Sequence, residues 1–368
     1  MRFIATCKLG LESTVARQLR QLALDVERVE DARVFFTGGF DAMARSLLWL
    51  RTAERVLLVV GSFRAETFSE LFDGVRALDW KPFLARDARI HVNGKSAKST
   101  LFSVSDCQSI VKKAIVENLK AAYHTDVVPE TGAEVIVEVG LLRDEATLAL
   151  DCCGAGLARR GYRTWNGEAP LRETLAAALV DLSPWRPGMP LYDPCCGTGT
   201  LLIEAAFKAM DRPAGLARAF ACESYPFMDR AGMDALRREA REAFRPDAPL
   251  SIAGSDIDPE ALSLCGRHIR QAGLEGRIAV RRQDLKTLTL DGPAGVFLLN
   301  PPYGERLSDR EGARALYREL GAMLKRHPGW KLCAISADPG FERAFGRRAD
   351  KKRRLYNGRL ECDFFIYR

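Results

Sequence analysis

The sequence is poor in the residues that build metal centres. It has four histidines spread along 368 residues, and its ten cysteines include no C-x-x-C pair. A zinc ribbon needs paired cysteines at that spacing, so we predict no metal site. Cysteines in this arrangement are typical of reduced, apolar thiols in a cytoplasmic protein, and we predict a cytoplasmic location.

Long apolar runs and low-complexity tracts are also missing. No apolar run approaches the ~20 residues of a membrane span, so no membrane partner is predicted. The N-terminus soon becomes polar and amphipathic, unlike a secretory signal. The formal net charge of +7 is modest. It fits a polyanionic partner, but it fits equally well a surface that is charged only for solubility.

The chain is long enough for two or three domains, and its hydrophobic pattern predicts where they lie. Residues 1–60 alternate short strands and helices in the manner of a ferredoxin-like unit. A second small α+β unit occupies 61–155, and the Gly- and Arg-rich segment 156–170 is predicted to be a linker. From 171 to 368 strands and helices alternate, which predicts an α/β, Rossmann-like sheet of parallel strands. A hairpin with a type I′ turn at Asn357-Gly358 closes it.

A glycine-rich turn follows the first strand of this sheet, in DPCCGTGTLLIEAA. Glycines there allow close approach of a ligand to the backbone, next to free N–H groups of a helix. The third glycine of a dinucleotide fingerprint is absent, and no phosphate-binding lysine follows Gly199. A cofactor with a carboxylate, such as S-adenosylmethionine, fits better, although a purely structural turn is the alternative. The candidate cofactor-binding residues here are Asp193, Cys196, Gly197, Gly199 and Thr200.

Two further carboxylates lie at predicted strand ends. Asp256, in GSDIDP, can accept hydrogen bonds from ribose hydroxyls. Its distance from the glycine turn is larger than usual, so the stretch from about 211 to 249 is predicted to be an insertion. Asp258, before Pro259, is expected to cap a helix. Asp284, in RRQDL, can accept from an adenine amino group, or it is a loop carboxylate without a ligand.

The segment FLLNPPYG (297–304) predicts a stiff loop at the carboxyl end of a strand. The side-chain carbonyl of Asn300 and the backbone carbonyl of Pro301 can accept hydrogen bonds from an exocyclic base amine. That favours a pyramidal nitrogen whose lone pair points at a methyl donor, while Tyr303 stacks on the base. Positioning and electrostatics then supply most of the rate. We predict that the tetrad Asn300, Pro301, Pro302 and Tyr303 is catalytic and that Asn300 also borders the cofactor.

Several of these motifs together resemble the THUMP-domain-containing class I RNA methyltransferases. They are GLARRGYR, EAPLRETLAAAL, DPCCGTGTLLIEAA, GSDIDPEAL and LNPPYGERL, with NGKSAKSTLFSVSDCQSIVKKAI in the amino-terminal half. The likeness extends over nearly the whole chain and is strongest to bacterial enzymes related to the 23S rRNA (guanine-N2) methyltransferase. It implies that 61–155 is a THUMP domain, that S-adenosyl-L-methionine is the cofactor and that a guanine N2 is the target. Cys195, Cys196 and Thr198 depart from the usual glycine turn, and the length leaves room for only one methyltransferase domain.

Clusters of basic residues suit an RNA partner, because phosphate contacts give affinity without sequence readout. Each cluster alone is also compatible with an ordinary solvated surface. Arg160 and Arg163 are expected to be the best candidates because they lie in the linker. Other basic residues, among them Arg159, occur there and in 351–354, before the last hairpin. The candidate RNA-binding residues are Lys95, Lys98, Lys112, Lys113, Arg160 and Arg163.

Three other functions remain open. Two of them keep the methyl transfer and change the substrate, and the third involves no catalysis. Transfer RNA in place of 23S rRNA needs no change in the catalytic residues, and an adenine-N6 methyltransferase for DNA also uses an NPPY tetrad. A non-catalytic RNA-binding or ribosome assembly factor is a different class of protein. The intact set of Asp193, Asp256 and the tetrad argues against it, and the RNA-type amino-terminal module argues against DNA.

Overall fold

A computed structural model of the chain describes residues 1–163, 171–303 and 309–368. The amino-terminal half forms one sheet with four helices. The strands are β1 (Arg2–Thr6), β2 (Asp25–Glu30), β3 (Arg33–Thr37), β4 (Arg55–Arg64), β5 (Arg89–Ala97), β6 (Glu134–Leu142) and β7 (Glu145–Asp151). The helices are α1 (Glu12–Gln21), α2 (Phe40–Trp49), α3 (Phe68–Ala77) and α4 (Val104–Tyr123).

The two amino-terminal units share this sheet, whose order is β2-β3-β1-β4-β7-β6-β5. Strand β4 pairs with β1 on one side and with β7 on the other, both antiparallel. The predicted boundary between residues 60 and 61 therefore lies inside a strand. Strands β5 and β6 are the one parallel pair among the described ladders of this sheet.

The carboxy-terminal half forms the second sheet. Its strands are β8 (Leu191–Asp193), β9 (Ile252–Asp256), β10 (Ala279–Arg282), β11 (Val296–Leu299), β12 (Lys331–Ser336), β13 (Lys351–Asn357) and β14 (Leu360–Tyr367). Its helices are α5 (Glu173–Leu182), α6 (Thr200–Ala209), α7 (Arg230–Ala243), α8 (Pro259–Gln271), α9 (Asp309–Arg326) and α10 (Phe341–Phe345). The order β10-β9-β8-β11-β12-β14-β13 has five parallel strands and an antiparallel hairpin, so the predicted α/β sheet is confirmed.

Strand β11 lies at the centre of this sheet, and all four of its residues are buried. Phe297 stacks on Trp330 with ring centroids 4.4 Å apart. A parallel strand covered by helices on both faces is expected to be apolar throughout rather than alternating. The sequence VFLL therefore places the following Asn300 at the edge of a rigid core.

The turn of the final hairpin differs from the prediction. Asn357 pairs with Leu360, so the two-residue loop is Gly358-Arg359, and only Gly358 has a positive φ, +66°. One positive φ at the first loop position is typical of a type II′ turn. Asn357 is the last residue of β13, and the predicted type I′ turn at Asn357-Gly358 is wrong by one position.

The segment between α6 and β9 is the predicted insertion, and it binds the amino-terminal half. Helix α7 packs against α2, where Arg45 and Glu239 form an ion pair of 2.7 Å. The backbone N–H of Gly215 donates to the carbonyl of Leu48 over 2.8 Å. Arg218 donates to the carbonyls of Cys153 and Gly156 at 3.1 and 2.7 Å. The insertion thus fixes the carboxy-terminal half to the amino-terminal half.

The predicted linker is packed where the structure describes it. Leu157, Arg160 and Tyr162 are buried, and residues 164–170 lie outside the described ranges. Over the described ranges no helix has the length and apolar character of a membrane span. In the same ranges no three His, Cys, Asp or Glu side chains are grouped closely enough to hold a metal ion.

Candidate active site

The predicted site residues meet at the carboxyl edge of the second sheet. Asp193 ends β8, Asp256 ends the neighbouring β9, and Asn300 follows β11 on the other side of β8. The chain leaves β8 in one direction for β9 and returns to β11 in the other, which opens a crevice at this edge. A cavity of about 1270 Å³ lies there. Its lining includes Asp193, Cys196, Gly197, Thr200, Asp256, Asp284, Asn300, Pro301, Pro302 and Tyr303.

The glycine turn has the backbone that only glycine adopts easily. Gly197 and Gly199 have φ of +49° and +84°, and Gly199 is the N-cap of α6. Gly199 does not itself line the cavity, but a Cβ there would come within 2.5 Å of the Cys265 Sγ. Its role is to let α6 begin close against α8, with the N-terminus of α6 at the cavity.

Replacing Gly199 by alanine is expected to destabilise the protein and to weaken binding of the predicted cofactor, S-adenosyl-L-methionine. The left-handed backbone costs about 1–2 kcal/mol for a residue with a Cβ, and the contact with Cys265 adds to that. Gly188→Ala is the matched control, because Gly188 has φ of +90° and open space around its Cβ position. Thermal unfolding and titration calorimetry would compare the two variants. Equal losses in both would show that the contact with Cys265 has no effect.

Asp193 is almost fully buried, and its carboxylate accepts from the backbone N–H of Cys195 over 3.0 Å. Burial raises the pKa of Asp193 well above its ordinary value, and the nearby charge of Asp256 adds to this effect. A positively charged ligand group beside Asp193 would lower its pKa again. The site is therefore electrostatically suited to a cation.

Asp256 connects the glycine turn to β9. One carboxylate oxygen accepts from the backbone N–H of Gly197 at 2.8 Å, and the other accepts from the N–H of Asp258 at 3.0 Å. A carboxylate has about four lone-pair sites, so two remain for a ligand that enters the cavity. Asp256 thus has both a structural role and the capacity to bind hydroxyl groups.

Asp258 and Asp284 both line the cavity and both cap helical turns. Asp258 accepts from the N–H of Glu260 at 2.8 Å, with Pro259 in the first turn of α8. This is the capping role that the sequence predicted. Asp284 accepts from the N–H of Lys286 at 2.9 Å at the start of a short 3₁₀ turn. Its contact with the cavity is compatible with a ligand as well.

The NPPY loop is held in place by the hydroxyl groups of two tyrosines, Tyr303 and Tyr317. The phenol of Tyr303 donates to the side-chain carbonyl of Asn300. The fully buried Tyr317 of α9 donates to the backbone carbonyl of Pro302 at 2.9 Å, and its oxygen lies 3.2 Å from the Ser336 hydroxyl. The loop and the amide are therefore oriented from both sides. Gly304 of the quoted segment lies outside the described residues.

Sequence reasoning missed several residues that line the same cavity. Ile257, between the two aspartates, is 61% exposed and offers an apolar surface. An apolar residue between two aspartates in GSDIDP was the available signal. Glu319 of α9 and Asn357 at the hairpin also reach the cavity. No sequence motif predicted that these two residues reach the cavity, because they are distant in sequence from the glycine turn and the strand-end aspartates.

The predicted RNA-binding lysines lie on the amino-terminal half. Lys95, Lys98 and Lys113 are exposed. Lys112 is only partly exposed and forms an ion pair of 2.9 Å with Glu130. The exposed three remain available to phosphates, whereas Lys112 already has an anionic partner.

The two linker arginines do not face solvent, contrary to expectation. Arg160 is 4% exposed and donates to Glu204 at 3.4 Å and to the carbonyl of Leu157 at 2.7 Å. The Arg163 side chain is 9% exposed and pairs with Glu173 at 3.6 Å. The Arg160 guanidinium also donates to the backbone carbonyl of Arg51 and so joins the two halves, whereas Arg163 is held within the carboxy-terminal half. We withdraw both from the RNA-binding set.

The basic run 351–354 is largely engaged in contacts within the protein. Lys352 lies 3.4 Å from Asp363, and Arg354 lies 3.1 Å from Glu361. Arg353 donates to the carbonyl of Gly10 in the amino-terminal half over 3.1 Å. These contacts anchor the hairpin.

Comparison with known proteins agrees with this geometry. Residues 160–366 match the RMKL-like methyltransferase domain family, residues 2–57 the RlmL ferredoxin-like domain and residues 65–151 the THUMP domain. The fold and the site thus define a methyltransferase with an amino-terminal THUMP module. The chain belongs to the RMKL-like methyltransferase family, which confirms the resemblance and the fold class.

Two relatives and two solved structures illustrate the similarity. YpsC of Bacillus subtilis (strain 168), whose name assigns it provisionally to the RNA methyltransferases, is 42% identical over 99% of this chain and 95% of its own length. The ribosomal RNA large subunit methyltransferase K/L of Methylococcus capsulatus is 37% identical over 99% of this chain. This chain spans 51% of the length of that relative.

The solved structures match over the full chain. A Listeria monocytogenes protein named as a predicted N6-adenine-specific DNA methylase has a TM-score of 0.95 and 43% identity, covering 100% of this chain and 96% of that one. SMU.472, solved with S-adenosylhomocysteine (SAH), has a TM-score of 0.94 and 41% identity, covering 100% and 97%. The Listeria name states an adenine target in DNA and the SMU.472 name states no substrate, so similarity of structure alone does not define the target base.

Proposed function

We propose that the protein transfers a methyl group from S-adenosyl-L-methionine to the exocyclic N2 of a guanine in 23S rRNA. That it is an S-adenosyl-L-methionine-dependent RNA methyltransferase follows from its family. The observation that supports methylation of an exocyclic base amine is the position of the NPPY loop. Asn300 and Tyr303 lie in the same cavity as Asp193 and Asp256, so an amine and a methyl donor can meet there.

The cofactor half of the cavity has a group for each part of the ligand. When bound, S-adenosyl-L-methionine supplies an electrophilic methyl group on a sulfonium. Asp193 offers a buried negative charge to the cationic part of the ligand, and the remaining lone pairs of Asp256 suit ribose hydroxyls. Ile257 offers an apolar surface to the adenine ring, and Asp284 can accept from its amino group. The N-terminus of α6 presents N–H groups to a carboxylate.

The part of the cavity around the NPPY loop would hold the target base and activate its amine, which is a weak nucleophile. The amine lone pair of guanine is delocalised into the ring, so the amine reacts poorly unless it is held out of conjugation. The carbonyl oxygens of Asn300 and Pro301 accept the two amine hydrogens and aim the lone pair at the methyl group. Tyr303 holds the base by stacking and orients the Asn300 carbonyl through its phenol. Preorganised acceptors of this kind need no rearrangement during the reaction.

Changing Asp256 to asparagine is expected to weaken SAH binding about tenfold. The carboxylate makes charge-assisted hydrogen bonds, which contribute about 1.5–3 kcal/mol each, and asparagine keeps the size of the side chain but loses the charge. Asp258→Asn is the matched control, because asparagine caps helices about as well as aspartate. Titration calorimetry on both variants gives the comparison. If both lost affinity equally, the assignment of Asp256 to the ribose would be wrong.

Transfer RNA is the second candidate substrate, and a non-catalytic role in ribosome assembly is the third. The ribosomal RNA named for the K/L relative favours 23S rRNA, and a cytoplasmic setting goes with that substrate. The two RNA substrates can be separated by incubating the protein with labelled methyl donor and purified 23S rRNA, 16S rRNA or transfer RNA from cells that lack the gene. We expect label in 23S rRNA alone. Label in transfer RNA would support the second candidate, and no label in any fraction would support the third.

A further inference from the structure

Phe102 is the most exposed large apolar side chain in the described part of the chain, with 83% of its surface in solvent. It lies between β5 and α4 in the THUMP domain, and its neighbour Leu101 is buried at 5% exposure. Burying a phenylalanine ring contributes about 1.5–3 kcal/mol, which this ring does not gain within the chain. A single exposed apolar residue is common on protein surfaces, so its meaning depends on the groups around it.

The loop that carries Phe102 is fixed by hydrogen bonds rather than loose. The Ser96 hydroxyl donates to the carbonyl of Leu101 at 2.6 Å. The backbone N–H of Thr100 donates to Asp144 at 2.6 Å, and the N–H of Asp144 donates to the Ser99 hydroxyl at 3.0 Å. The backbone around the ring is therefore preorganised, so a ligand need not order the loop on binding.

Positive charge lies in the same segment. Lys95 and Lys98 are exposed, and Lys98 has a φ of +53° at the point where the chain leaves β5. Two carboxylates are also near, but Asp144 accepts from Thr100 and Asp106 accepts from the Ser103 hydroxyl at 2.6 Å. The segment thus combines one bare aromatic ring with two exposed ammonium groups.

We propose that Phe102 is a stacking platform for an unpaired base of the RNA substrate, with Lys95 and Lys98 on the flanking phosphates. The proposal rests on the proposed function, because it assumes an RNA substrate. Every base has a π-face, so an aromatic ring beside cations fits single-stranded nucleic acid whatever its sequence. Duplex RNA keeps its bases stacked inside and offers no face to the ring. A protein partner would need a far larger patch than one side chain.

Stacking and charge can be separated by salt dependence. The probes are a single-stranded RNA of about 12 nucleotides and a blunt duplex of the same composition, measured by fluorescence anisotropy at several salt concentrations. Phe102→Ala is expected to weaken single-strand binding about 5- to 150-fold with no change in the salt slope. Lys98→Ala is expected to reduce the slope by about 0.7, since it removes one phosphate contact. Duplex binding should be the same for Phe102→Ala and the unmodified protein.

Two further variants make the result decisive. Phe102→Trp should restore affinity, because it keeps a stacking face, and Val127→Ala, at another exposed apolar residue of the same domain, should have no effect. Unchanged binding by Phe102→Ala, or equal losses in the alanine and tryptophan variants, would overturn the proposal while leaving the methyltransferase function intact. If the unmodified protein bound neither probe and methylated no RNA, the proposed function itself would fail.

Discussion

Replacing Asn300 by alanine is expected to lower kcat by about 10²–10³-fold while SAH binding stays within about twofold. A fixed polar group aimed at the reacting centre contributes about this much to many enzymes. The side chain lies at the cavity end of β11, whereas the candidate cofactor contacts are on β8, β9 and α6. Single-turnover methyl transfer and titration calorimetry would measure the two quantities separately.

Tyr303→Phe provides the graded control for Asn300. It keeps the ring for stacking but removes the phenol that donates to the Asn300 carbonyl. We expect a smaller loss of kcat than in Asn300→Ala, because the acceptor remains and only its orientation is loosened. If Asn300→Ala lost SAH affinity in proportion to its activity, Asn300 would be a cofactor residue and not an acceptor for the target amine.

Replacing Glu204 by alanine is expected to destabilise the protein by about 3–5 kcal/mol. The carboxylate of Glu204 is fully buried on α6. It accepts from Arg51 at 3.0 Å, from Arg160 at 3.4 Å and from the Tyr162 hydroxyl at 3.1 Å. Removing one partner of a buried ion pair leaves the other charges without compensation, which is strongly destabilising. Thermal and urea unfolding would measure the change.

The surface pair of Arg45 and Glu239 is the matched control, since it also joins the two halves but is solvated. Glu239→Ala is expected to change the free energy of unfolding by no more than about 1 kcal/mol. Limited proteolysis should cut Glu204→Ala faster near residues 51–54 and 156–163, where the halves meet. Similar stability in both variants would show that the buried network does not hold the halves together.

The candidate active site at the carboxyl edge of the second sheet could be predicted from the sequence, because the motifs that mark it are local. An apolar strand, a glycine turn and a carboxylate or amide stand within a few residues of one another, and parallel strands bring their carboxyl ends to one edge. Asp258 before Pro259 is local in the same sense, and its cap was predicted. The roles proposed for Asp193, Asp256 and Asn300 remain predictions that the variants above can test.

Other features could not be predicted, because their partners are distant in the sequence. Arg160 looks like a phosphate ligand in a glycine-flanked segment, and only the fold brings Glu204 to it. Strand β2 cannot be recognised from the sequence, because its residues, DVERVE, are mostly charged and none is buried, so no apolar alternation marks it. The predicted position of the hairpin turn is wrong by one residue because both Asn357 and Gly358 suit a tight turn. Only the pairing of β13 with β14 shows that the loop begins at Gly358.

The most direct test of the account is the identity of the methylated nucleoside. The purified protein is incubated with labelled S-adenosyl-L-methionine and RNA from cells that lack the gene, and the RNA is digested to nucleosides and analysed by mass spectrometry. We expect the label in N2-methylguanosine, and labelling at least about 100-fold slower with Asn300→Ala. Label in N6-methyladenosine, or no label although SAH binds, would contradict the assignment of the NPPY loop to a guanine amine.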